Sequence, residues 1–311
     1  MIDVEASDVQ IQVDHQTLTL TSLSKILWPK HQITKADYFQ YIYEVSPYIL
    51  PFIKDRALTL IRYPHGANGP SFFQKNCPDY APDFIPTAMV DDINYIVGGD
   101  LPTLYWLANQ LALEIHVPFQ LIQSTGPSEI VFDLDPPSRE AFELAVEAAL
   151  LIKEVLDQLQ MISFVKTSGN KGLQVYIPLP EDTYSYEETR LFGDFIADYL
   201  INKRPQAFTT ERLKKNRKGR LYLDIVQHAK GKTIVSPYTV RGNEDGLVAA
   251  PLFWEEVTPS LRPEQFPIQS MIDRIKTKGC PFAHFFSAKD HQPFEQVLSV
   301  LKRNKEKGVS S

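Results

Sequence analysis

Glu129-Ile130-Val131-Phe132-Asp133-Leu134-Asp135-Pro136-Pro137 is the stretch from which the rest of the fold can be worked out. Ile130, Val131 and Phe132 form a short apolar run that suits a buried strand. Strand side chains alternate, so Asp133 and Asp135 leave the same face at its end. Pro136 and Pro137 cannot extend a ladder, which puts the two carboxylates at a mouth and not in a core. Like charges that close destabilise each other unless a proton or a cation offsets them, and hard oxygen donors favour magnesium or manganese over zinc. Aspartate also ends many strands without holding anything, so the pair alone reads either way.

The 311 residues, 43% hydrophobic and 23% charged, supply enough apolar surface for one large or two medium domains. No apolar run approaches the roughly 20 residues that span a bilayer, and the polar, acidic start has no signal-peptide core; the expectation is a cytoplasmic protein without a membrane partner. Cys77 and Cys280 lack metal-ligand spacing and read as free thiols. A net charge of −6 speaks against a general nucleic-acid coat and leaves any DNA contact to local basic clusters.

Residues 1–17 are polar and aperiodic and read as a flexible arm or edge strand, 18–303 as one catalytic unit, and 304–311 as a charged tail. Thr34 is placed to cap a helix over 38–50, with Pro51 as its stop. Lys25 and Lys35 flank that helix start, as solvated lysines or as a phosphate clamp. Residues 57–62 read as a strand, and a turn over 66–70 leads to Phe72 and Phe73. Adjacent phenylalanines in an extended segment cannot both face one core: either one is exposed and suits base stacking, or a bent loop buries both. A helix is expected from Asp100 through Leu113, then a strand over 114–118 in which His116 faces away from Ile115 and Val117. That strand directly precedes the Asp-x-Asp strand and is expected to lie beside it.

A long helix is expected over 138–160, then a hairpin of strands 161–166 and 173–178 around Thr167-Ser168-Gly169-Asn170-Lys171-Gly172. This corner offers backbone N–H groups, a hydroxyl and an ammonium to an anion, although the same residues also make a plain turn. After a helix over 185–203 comes Glu211-Arg-Leu-Lys-Lys-Asn-Arg-Lys-Gly-Arg220, six of whose ten residues are basic. It empties into a strand over 221–227 where Asp224, among apolar neighbours, needs a cation. Arg241 offers a fork suited to phosphate oxygens. Segments 252–256, 267–276 and 290–303 read as peripheral helices.

Taken in order, Asp133-Leu-Asp135-Pro-Pro137, Ser168-Gly-Asn-Lys-Gly172, and Asp224 followed by Gly231-Lys-Thr and Pro237-Tyr-Thr-Val-Arg241 resemble the polymerase domain of bacterial ATP-dependent DNA ligase D. That domain belongs to the archaeo-eukaryotic primase superfamily. The resemblance continues through Leu23-Ser-Lys-Ile-Leu-Trp-Pro29, Gly69-Pro-Ser-Phe-Phe-Gln-Lys-Asn76, Trp106-Leu-Ala-Asn109 and Pro251-Leu-Phe-Trp-Glu-Glu256, and so covers residues 18–275. A ligase-type Lys-x-Asp-Gly motif is missing, and the chain reads as a stand-alone polymerase or a separated domain.

The resemblance implies a primase-polymerase fold of the α+β class, a central mostly antiparallel sheet flanked by helices in a single catalytic unit. It implies a nucleotidyl transferase that fills gaps and extends ends from NTPs or dNTPs in double-strand break repair by non-homologous end joining. Asp133, Asp135 and Asp224 would hold two Mn2+ or Mg2+ ions. Ser168, Lys171 and Gly172 would hold the triphosphate with help from Arg241, Gln174 and Gln227, and His116 would touch the sugar near its 2′-oxygen. Phe72 and Phe73 would stack on template, Lys25 and Lys35 would take the 5′-phosphate of a downstream strand, and Arg217 would position the primer terminus or a second DNA end. The implied partners are gapped or broken DNA, NTP or dNTP, Ku and an ATP-dependent DNA ligase, and the implied place is the nucleoid of a bacterium. Two positions depart from the pattern: Gln174 stands where the family has a histidine, and Ser22 where it commonly has an asparagine. A metal-dependent nuclease or phosphoesterase and a non-catalytic DNA-end-bridging module are the other two classes these residues could serve.

Overall fold

The expected strand forms as Glu129–Asp135 in the computed structural model, which describes residues 8–307. Six α-helices lie among the described residues: α1 (Lys35–Ile53), α2 (Leu101–Asn109), α3 (Glu143–Gln158), α4 (Tyr186–Lys203), α5 (Ile268–Lys278) and α6 (Phe294–Glu306). The chain separates into two compact units. One runs up to Pro118 and takes in Val235–Ala249 and Phe266–Lys278; the other holds Phe119–Ile234, Ala250–Gln265 and the chain from Gly279 on.

The second unit is built on a six-stranded sheet in the order Phe208–Thr209, Leu221–Leu223, Glu129–Asp135, Leu173–Pro178, Phe164–Thr167, Pro251–Leu252. Every neighbouring pair is antiparallel except Phe208–Thr209 with Leu221–Leu223. The α+β class and the mostly antiparallel sheet follow the expectation. Ile130, Phe132 and Leu134 share one face by alternation, and Phe132 meets Phe192 of α4 at 6.2 Å between ring centroids. Helix α3 lies over this face because Ala145, Ala149, Ile152 and Leu156 recur at helical spacing and are fully buried. Each large aliphatic side chain removed from water this way contributes about 1.5–3 kcal/mol. On the opposite face Phe164 and Tyr176 pack against Phe282 and Phe285. Asp133 and Asp135 alternate onto that second face at the sheet's open end.

The first unit holds the antiparallel neighbours Phe72–Gln74, Thr59–Arg62 and Ala112–Pro118, with α1 packed on α2 and α5. The strand carrying His116 therefore pairs with Thr59–Arg62 and is not a neighbour of Glu129–Asp135, contrary to the expectation from adjacency in sequence. Ten residues separate the two strands, enough for the chain to change sheets.

Several boundaries also move. Helix α1 continues through Pro47 and Pro51 to Ile53, because the Tyr43 carbonyl that Pro47 cannot serve accepts instead from the Ser46 hydroxyl at 2.8 Å. Thr34 caps α1 as expected, with Asp37 completing the capping box, but the helix begins directly after it at Lys35 and not at residue 38. Helix α2 stops at Asn109, before Leu111 takes a φ of 56° and turns the chain into the next strand. Asp224 lies beyond the end of its strand at Leu223. The polar start pairs into a hairpin, Val9–Val13 with Gln16–Leu20, so the arm expected over 1–17 is ordered from residue 9; residues 1–7 lie outside the described residues. Helix α6 carries the charged tail to Glu306, and 308–311 are outside the described residues.

Candidate active site

In the second unit Asp133 stands opposite Gln174, whose Nε2 donates to Asp133 Oδ1 at 3.0 Å. Asp224 reaches the same place through its backbone, its N–H donating to the Asp133 carbonyl at 3.1 Å. The Asp224 carboxylate accepts from the Tyr222 hydroxyl at 3.1 Å and the Gln227 N–H at 3.0 Å. Asp135 is bracketed by two cations, Lys171 Nζ at 2.9 Å and Arg217 Nη1 at 3.4 Å. Arg217 is itself held, stacked 3.9 Å from the centroid of the Tyr222 ring and bonded to the carbonyls of Glu211 and Arg212. Burial pushes the Asp133 carboxyl up to about 6; the Gln174 amide opposes the rise, and the charges of Asp224 and Asp135 add to it.

The corner between the hairpin strands is closed on itself. Ser168 Oγ accepts the N–H groups of Asn170 at 3.2 Å and Gly172 at 3.0 Å, so two donors expected to face an anion are used inside the turn. Lys171 donates to the Pro136 carbonyl at 2.6 Å as well as pairing with Asp135. Gly172 is required by contact: a Cβ there would sit 2.2 Å from the Leu134 carbonyl oxygen. The Gln227 side chain donates to the Thr233 carbonyl at 2.5 Å. Lys166, which the sequence reading passed over, stands opposite Gln174 with no exposed surface, and its charge acts on Asp133. Its signal was a lone cation between Val165 and Thr167 in an otherwise uncharged strand.

Three hard carboxylates on adjoining backbone, one of them pushed up by burial and by the charges of the other two, make a donor set that fits a divalent cation in kind. Among the described residues, however, no three acidic, histidine or cysteine side chains converge closely enough to hold one. Asp135 lies against Lys171 and Arg217, and Asp224 accepts from the Gln227 N–H.

The first unit holds the other expected residues. Lys35, 2% exposed, donates to the Asn109 carbonyl at 2.9 Å and its side-chain oxygen at 2.8 Å; burial, helped by the charge of Lys25, lowers its pKa to about 8. Lys25 donates to the Pro64 carbonyl. Neither is a plain solvated lysine. Phe72 and Phe73 are 45% and 73% exposed, so the extended reading holds and goes further, since the strand has a partner on one edge and both rings reach solvent. Arg62 lies over the Phe72 ring at 5.4 Å. Ser22 has a φ of 53°, a conformation that asparagine adopts more readily. His116 Nε2 and Arg241 Nε each lie 3.0 Å from Glu114 Oε2. Glu114 was also missed, because a single glutamate between Leu113 and Ile115 carries no periodic signal.

The chain is 55% identical over 289 residues to the bifunctional non-homologous end joining protein LigD of Bacillus subtilis, an alignment that takes in 93% of this chain and 47% of that protein. It is 33% identical over 278 residues to the multifunctional non-homologous end joining DNA repair protein LigD of Mycobacterium tuberculosis, covering 85% of this chain and 36% of that one. It thus spans about half the length, or less, of these relatives. Among solved structures it matches the polymerase domain from Mycobacterium tuberculosis ligase D in complex with DNA, with a TM-score of 0.81, 30% identity, and coverage of 87% of this chain and 98% of that domain. The family model for the LigD primase-polymerase domain matches residues 34–282, four-fifths of the chain, and with the strand-borne aspartates and the sheet that presents them it establishes that the chain belongs to this family.

Proposed function

We propose that this chain is a template-directed nucleotidyl transferase that fills gaps and extends ends in non-homologous end joining. In the reaction the primer 3′-oxygen bonds to the α-phosphorus of an NTP or dNTP, the bond from that phosphorus to pyrophosphate breaks, and the hydroxyl proton leaves to solvent. The observation that carries this reading is the trio Asp133, Asp135 and Asp224 on adjoining backbone in a chain of this family. Two Mn2+ or Mg2+ ions held by these carboxylates would lower the pKa of the 3′-hydroxyl and offset charge on the α-phosphate and the leaving pyrophosphate. Lys171, Ser168 and Gly172 bind the triphosphate, with Gln227 and Arg241; to do so Lys171 exchanges its contacts with Asp135 and the Pro136 carbonyl, and Ser168 and Gly172 their bonds within the turn, for phosphate oxygens. Gln174, bonded to Asp133, assists at the triphosphate from beside that carboxylate. His116 meets the sugar, and Arg217 the primer terminus or a second DNA end.

The substrate in this reading is DNA with a gap or a double-strand break. Phe72 and Phe73 stack on its template, Lys25 and Lys35 take its 5′-phosphate, and Ku and an ATP-dependent DNA ligase act on the same ends in the bacterial nucleoid. No helix among the described residues is long and apolar enough to cross a membrane. The test is primer extension on a one-nucleotide gap carrying a 5′-phosphate, with Mn2+ and either NTPs or dNTPs. Template-directed addition is expected; Asp133→Ala and Asp135→Ala should abolish it and leave gap binding intact. Gap binding with no addition by the unmodified chain would move the assignment to end bridging, and primer shortening would move it to a nuclease.

A further inference from the structure

Glu114 is 3% exposed, yet it carries a carboxylate, and four groups close on it. Oε2 faces His116 Nε2 and Arg241 Nε, each at 3.0 Å; Oε1 accepts from the Tyr63 hydroxyl at 2.8 Å and the Gly242 N–H at 3.0 Å. Burial alone would raise this carboxyl; the bond to His116, the charge of Arg241 and the Gly242 N–H outweigh it and bring its pKa to about 2. An ionised carboxylate is an acceptor only. The nitrogen of His116 that faces it must therefore carry a hydrogen, and in the neutral ring Nδ1 is then the acceptor.

Exposure is graded across the cluster. The side chains of His116 and Arg241 are 16% and 21% accessible, whereas that of Glu114 is 4%. The carboxylate thus sits beneath two groups that reach solvent, the usual anatomy of an orienting residue and not of one that meets ligand. The backbone is shaped to permit it: a Cβ on Gly242 would fall 2.0 Å from Cζ of Tyr63, so the tyrosine reaches Glu114 only across a glycine.

We propose that Glu114 is a positioning residue of the nucleotide site, holding His116 in its Nε2-protonated form and aiming the Arg241 guanidinium, so that one buried acceptor sets both the sugar contact and a phosphate contact. This rests on the reading that His116 and Arg241 meet the incoming nucleotide, and the test separates the two. The ring nitrogens of His116 are followed by 15N–1H spectroscopy in the full chain and in Glu114→Gln, alongside KM and kcat for NTP and dNTP in gap extension. Glu114→Gln is expected to lose the single Nε2-protonated signal, to raise KM for NTP about ten- to hundredfold with a smaller change in kcat, and to bring the NTP-to-dNTP ratio closer to one. Tyr63→Phe, which removes one donor from Oε1 and leaves the His116 and Arg241 side chains in place, should move all three readouts the same way by less, and it carries the test if Glu114→Gln does not fold. An unchanged His116 spectrum in a folded variant would overturn the proposal. So would an unchanged KM in Glu114→Gln while His116→Ala and Arg241→Ala raise it. If neither of those two raises KM, the nucleotide reading itself fails and the proposal with it.

Discussion

Lys35 shows what a single buried charge commits the protein to. Its folded pKa of about 8 lies below the ordinary 10.5, so folding favours the neutral amine. The stability this group contributes is present above pH 10.5 and is lost as the pH falls through about 8. A bound phosphate reverses the preference, because it favours the ammonium. Affinity for a 5′-phosphorylated gap should therefore fall as the pH rises above about 8, by at most about tenfold per pH unit, since one proton is involved. Fluorescence anisotropy on gapped DNA measures this; Lys35→Met should flatten the curve and weaken binding throughout, and an unchanged slope would remove Lys35 from the phosphate contact. Asp133 and Asp135 were legible because a strand's period of two forces them onto one face. Asp224 was legible as a residue but not in its setting, since nothing in 221–227 marks the strand's end at Leu223. Glu114 and Lys166 were illegible: one charge inside an apolar run gains meaning only from partners brought in by distant segments.

At the scale of elements, a cap written in consecutive residues was a surer guide than a proline or an apolar run: α3 begins at Glu143 and not at 138. The capping boxes at Thr34 and Ser185 stand directly before Lys35 and Tyr186, the first residues of α1 and α4, because the signal lies in four consecutive residues. Pro51 failed as a stop because a proline in the last turn removes a donor that the helix end can spare, and Ser46 relieves the gap left by Pro47. Ser46→Ala should cost about 1 kcal/mol in denaturant unfolding, the loss of one hydrogen bond at a carbonyl with no helical donor. The hairpin corner is less forgiving. Gly172→Ala drives a methyl group against the Leu134 carbonyl and should destabilise by about 2–3 kcal/mol, while moving the strand that carries both aspartates. A variant as stable as the parent, by the same unfolding measurement, would show that the strands can part there freely.

For the molecule as a whole, the proposed binding of DNA by a chain of net charge −6 has to run through a few placed cations and not through its general field. The logarithm of the DNA association constant should fall with the logarithm of salt concentration, and substituting both Lys25 and Lys35 by alanine should reduce the slope by about 2, one unit per lost phosphate contact. A slope unchanged by the double substitution would place the footprint elsewhere, with the basic loop around Arg217 as the next segment to vary. The class of fold came with the family resemblance that the motifs carry, but the assignment of strands to sheets was not readable from the chain. His116 and Asp133 are carried by successive strands that join different sheets, a choice made by hydrogen-bond pairing that no local pattern reports.

The close approach of Gly242 to Tyr63 ties two positions far apart in the chain into one heritable unit. Gly242 has no need of its freedom of backbone; it is small because the tyrosine ring occupies the place of its Cβ. Gly242→Ala should be poorly tolerated in the parent and nearly silent once Tyr63 is shortened to leucine, so that the double variant is more stable than the sum of the single losses. Among diverging descendants of this sequence, then, the glycine is free to drift only in lineages that have already given up the tyrosine.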